Sequence, residues 1–140
     1  MNPDFNRTFR LAQTFMNNEL KHLNLSSGLY NYLLELADGK HRSMKELSVL
    51  VGVDNGYTTR AISKLEQRKL VVKFQSEEDG RSYLVSLTEE GEKLIPVIED
   101  SINKWVSIIS KGVSEKDIKL VLSTFSIFRN NAESYMGKEF

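Results

Sequence analysis

The sequence has no cysteine among its 140 residues, which excludes disulfide bonds, thiolate metal sites, cysteine nucleophiles and thiol redox sensing. It has only two histidines, His22 and His41, so one chain cannot form an all-histidine zinc site. We therefore expect structural roles for both histidines, and neither a metal nor a cofactor.

Long apolar runs are also absent. No stretch approaches the roughly 18 residues that a membrane span requires, and residues 1–7 lack the apolar core of a signal peptide. We expect a cytoplasmic protein with no membrane partner. Hydrophobic residues make up 40% of the chain, which suffices for one domain or for two small modules that share a core.

Neither sign of charge is in excess, because 19 basic residues balance 19 acidic ones. The distribution is nevertheless uneven. Residues 40–76 hold eight basic and three acidic residues, a net charge of +5, whereas residues 77–140 hold eight basic and twelve acidic ones, a net charge of −4. A basic middle segment indicates a polyanionic partner, or an ordinary charged surface whose lysines and arginines happen to cluster.

Helical patterns occupy the first part of the chain. Asn2 and Pro3 suit the start of a helix over residues 4–23. A second helix is predicted from Ser26 or Ser27 to Ala37. Apolar residues of the first helix recur every three or four positions, namely Phe5, Phe9, Ala12, Met16, Leu20 and Leu23.

A helix-turn-helix is predicted next. Ser43 and Glu46 form a capping box that opens a short helix ending at Gly52. Asp54 then caps a longer helix that runs to about Lys69. Two helices joined by a tight turn that contains glycine are typical of this motif.

The pattern then changes to that of β-strands. Residues 70–75 and 82–87 are predicted strands, and a polar turn over residues 76–81 joins them. A hairpin that directly follows a helix-turn-helix is a wing. The sequence therefore predicts a mainly α (α+β) fold with a winged helix-turn-helix over residues 26–90.

Two further helices are predicted after the wing. Thr88 caps the first, which runs to about Lys111 and tolerates Pro96 only with a kink, and Ser114 opens the second with Asp117. The apolar residues of the helix from Thr88 cover more than one face, and the last helix carries an apolar stripe at helical spacing. Together with the stripe of the first helix, these are more apolar surface than one chain of this length can cover. We therefore expect a homodimer, with dimerisation helices at residues 1–25 and 91–140.

The motifs of the middle segment resemble those of MarR-type regulators (multiple antibiotic resistance regulators). Residues 59–66, followed by Leu70 and Val71, resemble the recognition helix of that family. Residues 79–81 and 85–91 resemble its wing signature, D-x-R followed by V-x-L-T-x-x-G. The resemblance covers essentially the whole chain. It implies a transcriptional repressor that binds a near-palindromic operator in double-stranded DNA as a homodimer and is released by a small-molecule ligand.

The sequence departs from the family pattern at two places. Lys69 stands where the family usually has the glycine that ends the recognition helix. A left-handed lysine costs about 1 kcal/mol, unless the helix ends differently here. Glu77 and Glu78 place negative charge beside the wing tip, where many relatives are more basic.

The expected DNA contacts come from the recognition helix, whose polar side chains can reach base edges or phosphates in a major groove. The alternative is a solvated helix face, and Tyr57 could instead pack inside the turn. Arg81 is expected in the minor groove, with Asp79 holding its guanidinium and also shaping the turn. The other candidates are Asn55, Gly56, Thr59, Arg60, Ser63, Lys64 and Gln67 on the helix, and Ser43, Lys45 and Ser76 as phosphate contacts.

The resemblance also implies a small aromatic or anionic effector, bound in a cleft between the dimer helices and the winged module. The alternative for the aromatic residues at this level is a place in the core or the dimer interface. The candidates are Phe9, Phe15, Tyr30, Tyr32 and Trp105.

Enzymatic activity is not expected. The sequence has no G-x-S-x-G elbow, phosphate loop or dinucleotide fingerprint. Glu77, Glu78 and Asp79 form an acidic cluster, but on a predicted exposed hairpin. The competing function is that of a winged-helix protein-interaction module that does not bind DNA.

Overall fold

The computed structural model describes residues 2–25 and 28–137. Two compact units are present, the first ending at Trp105 and the second beginning at Val106. In chain order the elements are α1 (Pro3–Glu19), a 3₁₀ helix (Lys21–Leu23), α2 (Leu29–Glu35), β1 (Arg42–Ser43), α3 (Met44–Val51), α4 (Asn55–Gln67), β2 (Val71–Gln75), β3 (Tyr83–Leu87), α5 (Glu89–Ile109) and α6 (Glu115–Gly137).

The predicted mainly helical fold with a winged helix-turn-helix is confirmed, with differences at some boundaries. The first helix ends at Glu19 rather than at residue 23, and its last predicted turn is a 3₁₀ helix. The predicted start of the second helix, Ser26 or Ser27, lies outside the described residues. None of the described helices is long and apolar enough to cross a membrane.

The wing is part of a three-stranded antiparallel sheet with the order β1-β3-β2. Strand β1, which the sequence analysis missed, pairs Arg42 with Val85. Two residues are too few to show a strand periodicity, so the sequence carries no signal for it. Val71 and Val85 are buried on the core side of the sheet.

Three buried hydroxyl groups connect the helices of the winged module. The hydroxyl of Tyr32 on α2 lies 3.1 Å from that of Thr58 on α4, and the hydroxyl of Ser48 on α3 lies 2.9 Å from Thr58. Burial raises the pKa of Tyr32, although its hydrogen bond to Thr58 acts in the opposite direction. These bonds satisfy polar groups that would otherwise be costly to bury.

The start of α5 is fixed by contacts with the residues between α4 and β2. The Thr88 hydroxyl donates to the carbonyl oxygen of Lys69 at 2.6 Å and accepts from the backbone N–H of Gly91 at 3.1 Å. A side chain on Gly91 would overlap the carbonyl oxygen of Leu70. The L-T-x-x-G spacing is therefore explained by a threonine cap and by a glycine that lets α5 approach the backbone.

Lys69 follows the end of α4 with φ of 60°, so the left-handed conformation is kept without glycine. Replacing it with glycine is expected to raise the free energy of unfolding by about 1 kcal/mol, because glycine adopts this conformation without steric cost. Urea denaturation measures the change. Lys69→Ala is the matched control, since it removes the same charge but keeps the Cβ atom, and equal stabilisation by both variants would contradict the conformational explanation.

The second unit consists mainly of α6. The predicted cap is confirmed, because the backbone N–H of Asp117 donates to the Ser114 hydroxyl at 3.1 Å. No described residue of α6 is buried. Its exposed large hydrophobic residues are Leu120, Val121, Leu122, Phe125, Ile127, Phe128, Tyr135 and Met136.

Candidate DNA-binding surface

Helix α4 has one buried face and one exposed face. Asp54 caps it as predicted, accepting from the backbone N–H of Tyr57 at 2.7 Å. The buried face packs into the core through Thr58, Ala61, Ile62 and Leu65. Of the predicted contact residues, Ser63 and Tyr57 are half-buried, and those that are exposed are Asn55, Gly56, Thr59, Arg60, Lys64 and Gln67.

The side chain of Arg60 lies beside the first turn of α4. Its guanidinium carbon is 6.0 Å from the centre of the Tyr57 ring. A Cβ atom on Gly56 would lie 3.4 Å from Nη1 of Arg60, so the missing side chain leaves room for the guanidinium. The Thr59 hydroxyl donates to the carbonyl oxygen of Asn55 at 2.9 Å, within the helix.

Some of the basic residues that make the middle segment positive have structural partners. The guanidinium of Arg68 donates to the carbonyl oxygens of Asn24 at 2.7 Å and Leu23 at 2.5 Å. Nε of Arg42 donates to the carbonyl oxygen of Glu35 at 2.7 Å. The sequence predicted neither role, because a backbone carbonyl acceptor can belong to any residue type and so leaves no signal in the sequence.

The wing turn corrects one expectation about Asp79. One of its carboxylate oxygens accepts from the backbone N–H of Arg81 and the other from the Ser82 hydroxyl, each at 3.0 Å. Among the described ion pairs none joins Asp79 to the Arg81 guanidinium. The carboxylate holds the turn itself instead, so the predicted bidentate pair is absent, and Arg81 is exposed.

The three predicted phosphate contacts have different surroundings. Ser43 is the cap of α3, and its hydroxyl accepts from the backbone N–H of Glu46 at 3.1 Å, as the capping box predicted. Lys45 is exposed. Ser76 is half-buried, and its backbone N–H donates to the carbonyl oxygen of Ser82 at 2.9 Å, across the base of the wing turn.

A cleft of about 620 Å³ lies beside α4. Two of the predicted effector residues, Phe9 and Tyr30, line it, and burial raises the pKa of Tyr30 despite its hydrogen bond to Asn31. Tyr32 is instead fully buried in the core, while Phe15 and Trp105 pack together at 5.1 Å. The remaining lining residues are Arg10, Gln13, Thr14, Asn17, Gly28, Asn31, Glu35, Leu50, Val51, Val53 and Tyr57.

The two charged residues that line this cleft, Arg10 and Glu35, do not form an ion pair with each other among the described residues. Glu35 pairs with Arg42, whose Nη2 lies 3.9 Å from the Glu35 carboxylate. Arg10 has no ion-pair partner among the described residues. The part of the chain that the structure describes also contains no cluster of three or more acidic or histidine side chains able to hold a metal.

A known protein family matches more than half of the chain. A family model described as transcriptional regulator SarA/Rot matches residues 14–98. The chain belongs to the SarA/Rot family of transcriptional regulators. The HTH-type transcriptional regulator BilQ of Clostridioides difficile (strain CD3) is 31% identical to it over 111 residues, which cover 79% of this chain and 75% of that protein.

Solved structures agree with this assignment. A protein assigned to the MarR family from Listeria monocytogenes, solved in complex with 26mer DNA, is 25% identical to this regulator, with a TM-score of 0.88 over 97% of this chain and 91% of that one. A MarR protein from Peptoclostridium difficile DA00132 has the same fold, with a TM-score of 0.88 at 23% identity over 98% and 90% of the two chains.

The predicted MarR-type resemblance and the prediction of a DNA-binding transcriptional regulator are confirmed by these relatives. The direction of regulation, the homodimer, the effector and the individual contact residues of this regulator stay predictions.

Proposed function

We propose that this regulator is a cytoplasmic, non-enzymatic repressor that binds operator DNA as a homodimer through α4 and is released by a small effector. The observation that carries the proposal is the division of α4 into a core face and an exposed polar face. Asn55, Arg60 and Lys64 on the exposed face are proposed to contact bases or phosphates in a major groove. Tyr57, Ser63, Thr59 and Gly56 are proposed to complete this surface.

Selection of bound sequences from a random DNA pool tests the proposal. A dimer is expected to select near-palindromic duplexes with half-sites about 10 base pairs apart. Their affinity should fall steeply as salt rises, because phosphate contacts release counterions. A winged module that only binds proteins would select no sequence and show no such dependence. Fusing the selected duplex to a reporter promoter then distinguishes repression from activation.

The homodimer is proposed from exposed apolar side chains on two helices. Phe9 and Leu11 on α1 are 62% and 54% exposed, and Leu120 and Leu122 on α6 are both 63% exposed. Such surfaces in a regulator of this size are typical of an interface.

Light scattering at micromolar concentration is expected to give about twice the chain mass of 16.0 kDa. The variant Leu120→Glu with Leu122→Glu should shift the mass toward one chain, because it buries charge in the interface. Lys116→Glu with Lys119→Glu is a control that also adds negative charge to α6. A monomeric, cooperatively folding wild-type protein would contradict the dimer.

The wing is proposed to contact the minor groove through Arg81 and to contribute no long-range attraction to DNA. Glu77, Glu78 and Asp79 against the single basic residue Arg81 give residues 76–81 a net charge of −2, so the turn cannot attract DNA over a distance. Long-range attraction must come from the basic residues of segment 40–76, among them Lys45 and Lys64.

Two variants of the wing should behave oppositely. Arg81→Ala is expected to weaken binding by about 1 kcal/mol, mainly on A·T-rich flanks. Glu77→Gln with Glu78→Gln should strengthen binding to all sequences alike, because it removes repulsion without adding a base contact. Fluorescence anisotropy with A·T-rich and G·C-rich flanks measures both. If neither variant changes affinity, the wing does not touch DNA in this protein.

The effector is proposed to be a small aromatic anion bound in the cleft lined by Phe9 and Tyr30. The aromatic rings offer stacking surfaces, and the Tyr30 hydroxyl, protonated at neutral pH like that of an ordinary tyrosine, can donate to an anion. Arg10 supplies the positive charge. Calorimetric screening of aromatic carboxylates against the wild type and Arg10→Ala tests this choice of ligand. The absence of binding by any carboxylate, or equal binding by Arg10→Ala, would contradict it.

A further inference from the structure

Tyr57 is shared between the cleft and the candidate DNA-binding surface. Its half-buried ring lines the cleft, and the guanidinium of Arg60 lies over the same ring, 6.0 Å from its centre. A molecule in the cleft would therefore contact the ring against which Arg60 is placed.

The backbone around this pair is held in place. The carboxylate of Asp54 accepts from the backbone N–H of Tyr57, and the next residue, Thr58, is fully buried in the hydroxyl network. Residues 57 and 60 are three positions apart, so they are neighbours on one face of α4. With the backbone fixed, contact from the cleft acts on the side chain of Tyr57 rather than on the helix.

Arg60 also has room to respond. A Cβ atom on Gly56 would lie 3.4 Å from Nη1 of Arg60 and 3.2 Å from Oδ1 of Asp54, so the glycine leaves room between these two side chains. None of the described ion pairs involves Arg60, and its guanidinium lies over the Tyr57 ring, so a displaced ring changes where the guanidinium points.

We propose that Tyr57 is a positioning residue that couples occupation of the cleft to DNA contact by Arg60. The proposal rests on the proposed function, because it takes α4 as the DNA-contacting helix. Coupling between binding sites is reciprocal, so DNA engaged by Arg60 also changes the affinity of the cleft. This relay from the cleft through Tyr57 to Arg60 involves two side chains and requires no movement of the helices.

The absence of cysteine allows a direct test. Thr14 lines the cleft, so Thr14→Cys introduces a single thiol there. Benzyl methanethiosulfonate converts this thiol into a mixed disulfide with release of methanesulfinate, which places a benzyl group in the cleft. Gln13→Cys provides a second attachment point in the lining if the first variant does not fold.

Thr8→Cys is the matched control. Thr8 and Thr14 are both exposed residues of α1, and the hydroxyl of each donates to the carbonyl oxygen four residues earlier, at 2.8 Å and 3.0 Å. Only Thr14 is part of the cleft lining. The two variants therefore differ in where the benzyl group is placed and in little else.

The benzyl group at position 14 is expected to lower affinity for the selected duplex by about fivefold, and dithiothreitol should restore it. The group at position 8 should have no effect. In the Arg60→Ala and Tyr57→Leu backgrounds the group at position 14 should cause no further loss. The Nε–H resonance of Arg60 should also shift on modification at position 14 in protein without DNA.

Two results would overturn the relay. One is an equal loss of affinity in the Arg60→Ala background, which would show that the effect bypasses Arg60. The other is an unchanged Arg60 Nε–H resonance, which would show that the ring is a static wall. Failure of the unmodified protein to bind any DNA would contradict the proposed function instead, and the Arg60 resonance would then decide the relay alone.

Discussion

A Gly91→Ala variant is expected to lose about 3 kcal/mol of unfolding free energy, the upper part of the range for overpacked sites. The added methyl group would overlap the carbonyl oxygen of Leu70. Backbone cannot rotate away as a flexible side chain can, so α5 must shift and strain the hydrogen bonds of Thr88. Chemical denaturation at a fixed protein concentration measures the loss, since the proposed dimerisation would make apparent stability depend on concentration.

Gly137→Ala is the control, because a Cβ atom at Gly137 would meet nothing within 4 Å. Thr88→Val and Thr88→Ser test the same junction through its hydroxyl. Valine should cost about 1–3 kcal/mol by leaving the Lys69 carbonyl and the Gly91 N–H without their partner, while serine should retain most of the stability. A Gly91→Ala protein as stable as the wild type would mean that α5 does not approach Leu70 this closely.

Arg60→Ala is expected to weaken operator binding by about 1–3 kcal/mol and to relax the preference at one base position, as for a residue that contacts a base edge. Arg60→Lys distinguishes the kind of contact. It keeps the charge but not the planar fork, so it should restore affinity without restoring preference. Anisotropy titrations against the selected duplex and single-base variants give both quantities.

Lys64→Ala should behave differently from Arg60→Ala. A lysine bound to phosphate contributes equally on all sequences, so its loss should lower the salt dependence by about one unit of slope and leave the preference intact. Lys93→Ala, at an exposed position of α5, is the control. If neither Arg60→Ala nor Lys64→Ala changes binding at about 0.1 M salt, α4 is not the recognition helix.

Most of the fold could be predicted because helix caps and apolar periodicity depend on residues that are close together in the sequence. The caps Ser43, Asp54 and Ser114 act on backbone N–H groups three residues away, and the structure contains all three bonds. The two-residue strand β1 was not predictable, because its partner Val85 lies 43 residues further along the chain, as the register of Arg42 with Val85 shows.

The candidate site was predictable only in part, for a related reason. The exposed face of α4 follows from its helical period, so its residues could be named from the sequence. The relation between Tyr57, Arg60 and the cleft could not, because α1 and α2 supply most of the cleft wall. For Asp79 the sequence allowed two partners, and only the geometry of the turn assigns its carboxylate to backbone N–H and Ser82 rather than to the Arg81 guanidinium.

The hydroxyl network of Tyr32, Ser48 and Thr58 has a consequence for how regulators of this kind diverge. Rotating α4 by one residue would leave these hydroxyl groups in the core without hydrogen-bond partners. The core residues of the fold therefore fix the orientation of the helix. The residues that hold α4 and the residues proposed to read DNA are then different sets. Operator preference can change through single substitutions at positions such as 55, 60 or 64, and duplicated genes can acquire separate targets without passing through an unstable intermediate.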